Sequence, residues 1–207
     1  MTFDGADAAI RDMNKRNLRL FDRLKTLKFD ELNVVRSVGN VYRDSAKLAR
    51  RRFLTVAWEA FVAAMVLAGI ERSRAEREAD DSITEDWVLD MLEDYDPVTL
   101  YQFTAETERK RDRLIEALLA SNNKNEQIEK ALRAWAAQLA QYADNSVIRA
   151  TIDGYEKAGV RKVRWVAEKD GRVCTTCSGL DGAVFEIDKV PDAPHFRCRC
   201  VLTPIKD

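Results

Sequence analysis

Apolar residues recur every three or four positions along most of this chain; near residue 160 the period shortens to two. Ile10, Met13, Phe21, Leu24 and Leu27, with Lys and Arg between them, predict a first helix. A second segment begins near Phe29, with a bend expected at Gly39. A long third helix is predicted from about Asp44 to Ala79. Its middle, Val56 to Ala68, is apolar almost all round, as expected of a helix lying between others. Its charged end, Glu71 to Asp81, is expected to project into solvent. Ser82-Ile83-Thr84-Glu85 fits a capping box ahead of Trp87, Val88, Met91 and Leu92. Asp96-Pro97 is a second helix start, because the Asp accepts from free amides and proline suits the first turn. That helix runs through Leu100, Phe103, Leu114, Ile115 and Leu118 to a break at Ser121-Asn122-Asn123. Ile128, Leu132, Trp135, Leu139 and Tyr142 form a core-facing stripe, in which the ordinary role of Trp135 and Tyr142 is packing. A last short helix, about Val147 to Lys157, ends at Gly159.

After residue 160 the pattern is different. Val163, Trp165 and Ala167 alternate with Arg164 and Val166, which predicts a strand. Lys169-Asp170-Gly171, Ser178-Gly179 and Asp181-Gly182 read as turns, and Val184 to Ile187 and Cys200 to Ile205 as two more strands. The expected fold class is mainly α with a small α+β C-terminal module. An elongated helical body, residues 1–159, precedes a short antiparallel β zinc-binding module, residues 160–207.

Composition agrees with that picture. Hydrophobic residues make up 46% and charged residues 33%, as in a soluble helix-rich protein. Eight glycines and four prolines are too few for a β-sandwich or a disordered chain. The formal net charge is -1, and neither part has the basic excess of a dedicated nucleic-acid binder. Arg50-Arg51-Arg52 and Arg109-Lys110-Arg111 read as solvated helix faces. Asp4, Asp7, Arg11 and Asp12 interrupt any apolar leader, and the apolar stretch Val56 to Ile70 contains Glu59 and is too short to span a bilayer. A reducing cytosol is therefore expected, where clustered cysteines bind metal more often than they form disulfides.

All four cysteines and the single histidine fall between residues 174 and 200, as Cys174-x2-Cys177 and His195-x2-Cys198-x-Cys200. Five candidate ligands face a structural Zn²⁺ that takes four. Cys198 and Cys200, two apart on a strand, point the same way. The preferred set is Cys174, Cys177, His195 and Cys198; an all-cysteine set with Cys200 in place of His195 is the alternative. A small module with few apolar side chains needs such a staple, and one structural zinc ion is the expected cofactor. Disulfides, or free thiols packed in a small core, are the other readings. No His-x-Glu lies upstream of a cysteine pair, one histidine excludes a His-Asn-His nuclease, and no phosphate-binding loop is present. The chain is therefore read as not an enzyme. Arg197 and Arg199, beside the ligands, are candidate nucleic-acid contacts, with pairing to Asp170 or Asp181 as the ordinary alternative.

The stretch from Trp165 through Asp170, Cys174, Cys177 and Leu180-Asp181-Gly182 to Phe185, followed by Pro194-His195-Phe-Arg-Cys198-Arg199-Cys200, resembles a known signature. It is that of the phage Mu F-like minor head (head morphogenesis) proteins. Tyr95-Asp-Pro97-Val-Thr-Leu-Tyr101 with Glu108-Arg109-Lys110-Arg111 is similar to minor head proteins of tailed phages. Where the family often carries Arg-Thr-Glu before the signature, this chain reads Ala143 to Thr151 without it. The resemblance implies a minor structural protein of a tailed phage or prophage, near the portal vertex inside the head, acting in capsid assembly or genome delivery. It implies the portal and other head proteins as partners, and residence in the host cytoplasm during assembly. Contact with genomic DNA is the competing expectation, as a zinc-stapled DNA-binding protein; self-association is a further one.

Overall fold

The computed structural model describes residues 4–93, 102–168, 173–191, 198 and 200–205, with side chains from residue 7 onward. Helix α1 is Asp4–Asp22 and passes through a short 3-10 turn, Arg23–Thr26, into α2, Glu31–Leu67. Helices α3, Arg72–Ser82, and α4, Glu85–Glu93, follow. Then come α5, Phe103–Ala120, and α6, Lys124–Lys157. The C-terminal part holds β1, Lys162–Val166, the short α7, Thr175–Leu180, β2, Val184–Glu186, and β3, Val201–Pro204. The fold is mainly α with a small antiparallel sheet, as the change of period predicts. The Asp96-Pro97 start and the Lys169-Asp170-Gly171 turn lie outside the described residues.

Helices α2 and α6 form the spine. Tyr42, Phe53, Trp135 and Tyr142 on them are all buried, together with Phe21 from α1 and Phe103 from α5. The rings meet edge-on or tilted, as at Phe103 and Tyr142, 5.1 Å between centroids. Burial of each phenylalanine contributes roughly 1.5–3 kcal/mol. A polar chain crosses this core: Trp135 Nε1 donates to Ser45 Oγ (2.7 Å), whose hydroxyl donates to Asn17 Oδ1 (2.6 Å), linking α6, α2 and α1.

The helix boundaries differ from expectation at three places, each for a local reason. First, α2 runs through Gly39 without a break and stops at Leu67, not near Ala79. Gly69 has φ 102°, a conformation only glycine adopts easily, and turns the chain into α3. Second, the charged stretch of α3 does not simply project. Ala75 and Ala79 are fully buried against α2, so two alanines seat an otherwise polar helix. Its successor α4 is capped by Thr84, whose Oγ1 accepts from Trp87 N (3.2 Å), and not by Ser82, which ends α3.

Third, α6 is one helix of 34 residues, not two. The polar run Asp144-Asn145-Ser146 is carried inside it, buried, with Ser146 Oγ donating back to Tyr142 O (2.8 Å). At the far end α6 crosses α2 so closely that a Cβ on Gly154 would lie 2.7 Å from Phe61 O. Gly159, φ 79°, then ends α6 and releases the chain into β1.

Strand β1 is central, with β2 and β3 antiparallel on either side. Val163, Trp165 and Ala167 face inward, as their alternation predicts, and Trp165 lies opposite Leu202 in the register.

Candidate metal centre

The C-terminal sheet has a small core of its own, built from Val163, Trp165, Ala167, Leu202 and three cysteines. It also takes in Ala64 from α2 and Tyr155 from α6, so the sheet is seated on the spine. Tyr155 Oη donates to the carbonyl of Leu202 (2.9 Å), a bond that joins α6 to β3. Neither residue stands out in the sequence; only the glycine beside Tyr155, at 154, hints at a close crossing.

The turn ahead of β2 explains the Leu-Asp-Gly motif. Asp181 Oδ1 accepts from Ala167 N (3.0 Å), and Gly182, φ 80°, places its N–H on Trp165 O (2.8 Å). Asp181 thus fixes the end of β1 against the end of α7. Ser178-Gly179, expected as a turn, lies within α7 instead, because Cys174 starts a helical turn there. Cys174 Sγ caps that turn, accepting from Cys177 N (3.3 Å).

Cys177, Cys198 and Cys200 are all buried, and their sulfur atoms lie within 4.8 Å of one another. Cys177 and Cys198 sulfurs are 3.7 Å apart. A disulfide needs about 2.05 Å, far shorter than this separation. In a tetrahedral zinc–thiolate site with Zn–S of about 2.3 Å, neighbouring sulfurs stand about 3.8 Å apart. The three thiols therefore fit one metal ion in distance, burial and ligand chemistry. Burial pushes the Cys177 thiol well above its ordinary range, with hydrogen bonds to Cys200 and Cys174 adding to the effect. Burial raises Cys198 to about 11. Without a cation Cys177 and Cys198 would be held as neutral thiols at neutral pH; a metal ion replaces their protons.

Of the five expected ligands, the structure thus gathers Cys177, Cys198 and Cys200 and sets Cys174 at the adjoining helix cap. His195, Arg197 and Arg199 lie outside the described residues. Cys200, the spare ligand of the preferred set, sits inside the thiol group. Among the described residues, no helix is long and apolar enough to cross a membrane.

The family model for phage Mu protein F like protein matches residues 107–203, from α5 through the thiol cluster into β3. Over that stretch the chain is similar to the phage Mu protein F like family. The family is one of phage head morphogenesis, with structural members, a place in the virion and other head proteins as partners. No curated protein and no solved structure matches the chain. The Mu F-like stretch includes the residues that seat the sheet, Gly154 and Tyr155, together with the Leu-Asp-Gly turn and all four cysteines. The family match and the metal-competent cluster therefore describe one unit of the fold.

Proposed function

We propose that this protein is a non-catalytic minor head protein of a tailed phage or prophage, associated with the portal vertex and acting in head assembly or genome delivery. The observation that carries this reading is the Mu F-like match, which covers the rear of the helical body and the cysteine-bearing sheet together. The helical body, residues 1–159, offers its faces to the portal and other head proteins; the module, residues 160–207, is held by one structural zinc ion. Cys177, Cys198 and Cys200 supply three ligands, and the fourth comes from Cys174 or His195. The only histidine in the chain would then be either a metal ligand or a bystander, with no second histidine to act as its catalytic partner.

The test is particle composition. Mass spectrometry of purified virions should find the protein at a low copy number relative to the major capsid protein, and enriched with the portal when heads are disrupted. Absence from purified virions would sink the assignment. Elemental analysis of protein prepared without added metal should find one zinc per chain.

A further inference from the structure

A second feature lies away from the cysteines, between Gly39 and Leu54 of α2. An open cleft of about 640 Å³ runs between α2, α4 and α5. Its floor is apolar, formed by Tyr42, Ala46 and Leu54 of α2 with Val88 and Leu89 of α4. Leu89 is 37% exposed at its rim. Its walls are cationic: Arg43, Lys47, Arg50 and Arg51 from α2 and Arg111 from α5, against two carboxylates, Glu85 and Glu108.

Three of these five cations are not paired with any described carboxylate. Arg43 donates to Asn40 Oδ1 and lies 3.7 Å from Asp44, and Arg111 is held by Asp112. Lys47, Arg50 and Arg51 form no ion pair with any described residue. Arg50 is the most telling. Its guanidinium carbon sits 5.6 Å from the centre of the Phe103 ring, and its Nε is shielded from water with no hydrogen-bond partner among the described residues. A buried donor without an acceptor is unfavourable, so an acceptor entering the cleft relieves a standing deficit.

We propose that this cleft docks an acidic amphipathic helix of a partner protein. Arg43, Lys47 and Arg51 are spaced by four, so on α2 they form one row with steps of about 6 Å. Carboxylates four residues apart on an incoming helix repeat at the same interval, and apolar residues on the same face meet the Tyr42–Val88–Leu89 floor. A duplex phosphate backbone would meet the cations but leave the apolar floor without a use. Charge complementarity calls for an acidic partner, and the apolar floor favours the helix over nucleic acid.

The test uses the full chain and a fluorescein-labelled fifteen-residue helical peptide, with Glu every fourth position and Leu on the same face. Fluorescence polarisation at low salt should show binding of this peptide and none of the same peptide with Lys in place of Glu. The double variant Lys47→Glu/Arg51→Glu should weaken binding at least ten-fold, while Arg72→Glu on α3 leaves it within two-fold. If the reversed pair melts early, Lys47→Gln/Arg51→Gln, which removes charge and keeps length, should give the same direction. The proposal is overturned if the acidic peptide does not bind, if either pair leaves its affinity unchanged, or if only a DNA duplex binds and loses affinity in these variants. Particle composition is untouched by either result, so this inference and the head-protein assignment fail separately.

Discussion

At the scale of single residues, two side positions on α6 decide how the sheet meets the helices. Gly154 leaves room for α2 to pass; a methyl group there would strike Phe61 O and press Ala64, which are backbone and core. Gly154→Ala should therefore destabilise the protein by about 1–3 kcal/mol, despite alanine's better helix propensity, read as a lower denaturant midpoint. One residue on, Tyr155 is fully buried and donates to Leu202 O. Burial pushes its phenol from 10.0 to about 12. The folded state holds the neutral form, so this stability is intact below pH 10 and is lost as pH climbs through 12. Tyr155→Phe should cost about 1 kcal/mol at neutral pH and remove that share of the alkaline loss, as followed by melts across pH. Neither residue was legible as functional, because a tyrosine next to a glycine near a helix end is common. What marks them is the crossing of two helices distant in sequence.

At the scale of elements, periodicity revealed the strands and the core-facing stripe but not the helix ends. The stripe from Ile128 to Tyr142 and the inward Val163, Trp165 and Ala167 are where their spacing puts them. The end of α2 depended on a positive φ at Gly69, and the continuity of α6 on burial of Asp144, Asn145 and Ser146 by neighbours no local window contains. Charge runs misled in a similar way. Arg109 and Lys110 read as solvated, yet they hold buried Glu106 at 2.6 and 3.1 Å. Glu106→Ala should cost about 3 kcal/mol, by thermal or denaturant melts, since it leaves two partly buried cations without their carboxylate. The cysteine spacing was legible as a cluster that could hold a metal ion; the membership of Cys200 in the thiol group was not, because a strand places Cys198 and Cys200 alike. Cys177→Ser should abolish zinc binding and melt the sheet while most far-UV helicity remains. Cys174→Ser should do the same if Cys174 is the fourth ligand, and retain the metal if His195 is. Zinc content by elemental analysis separates these outcomes.

For the whole molecule, the spine formed by α2 and α6 carries the cysteine-bearing sheet at one end and the cationic cleft along its side. Lys157, Arg161 and Lys162 are exposed at the junction of helix and sheet, so mild trypsin treatment should cut there first and leave a large and a small fragment on a denaturing gel. The two pieces should nevertheless elute together from a sizing column under native conditions. Ala64 and Tyr155 belong to the larger piece, yet they pack among Val163, Trp165 and Leu202 of the smaller. A clipped chain therefore behaves as a non-covalent heterodimer whose two parts were made as one. For a head protein of the kind proposed, this interlock means that a single backbone cleavage at the joint need not detach the sheet from the helices that carry it.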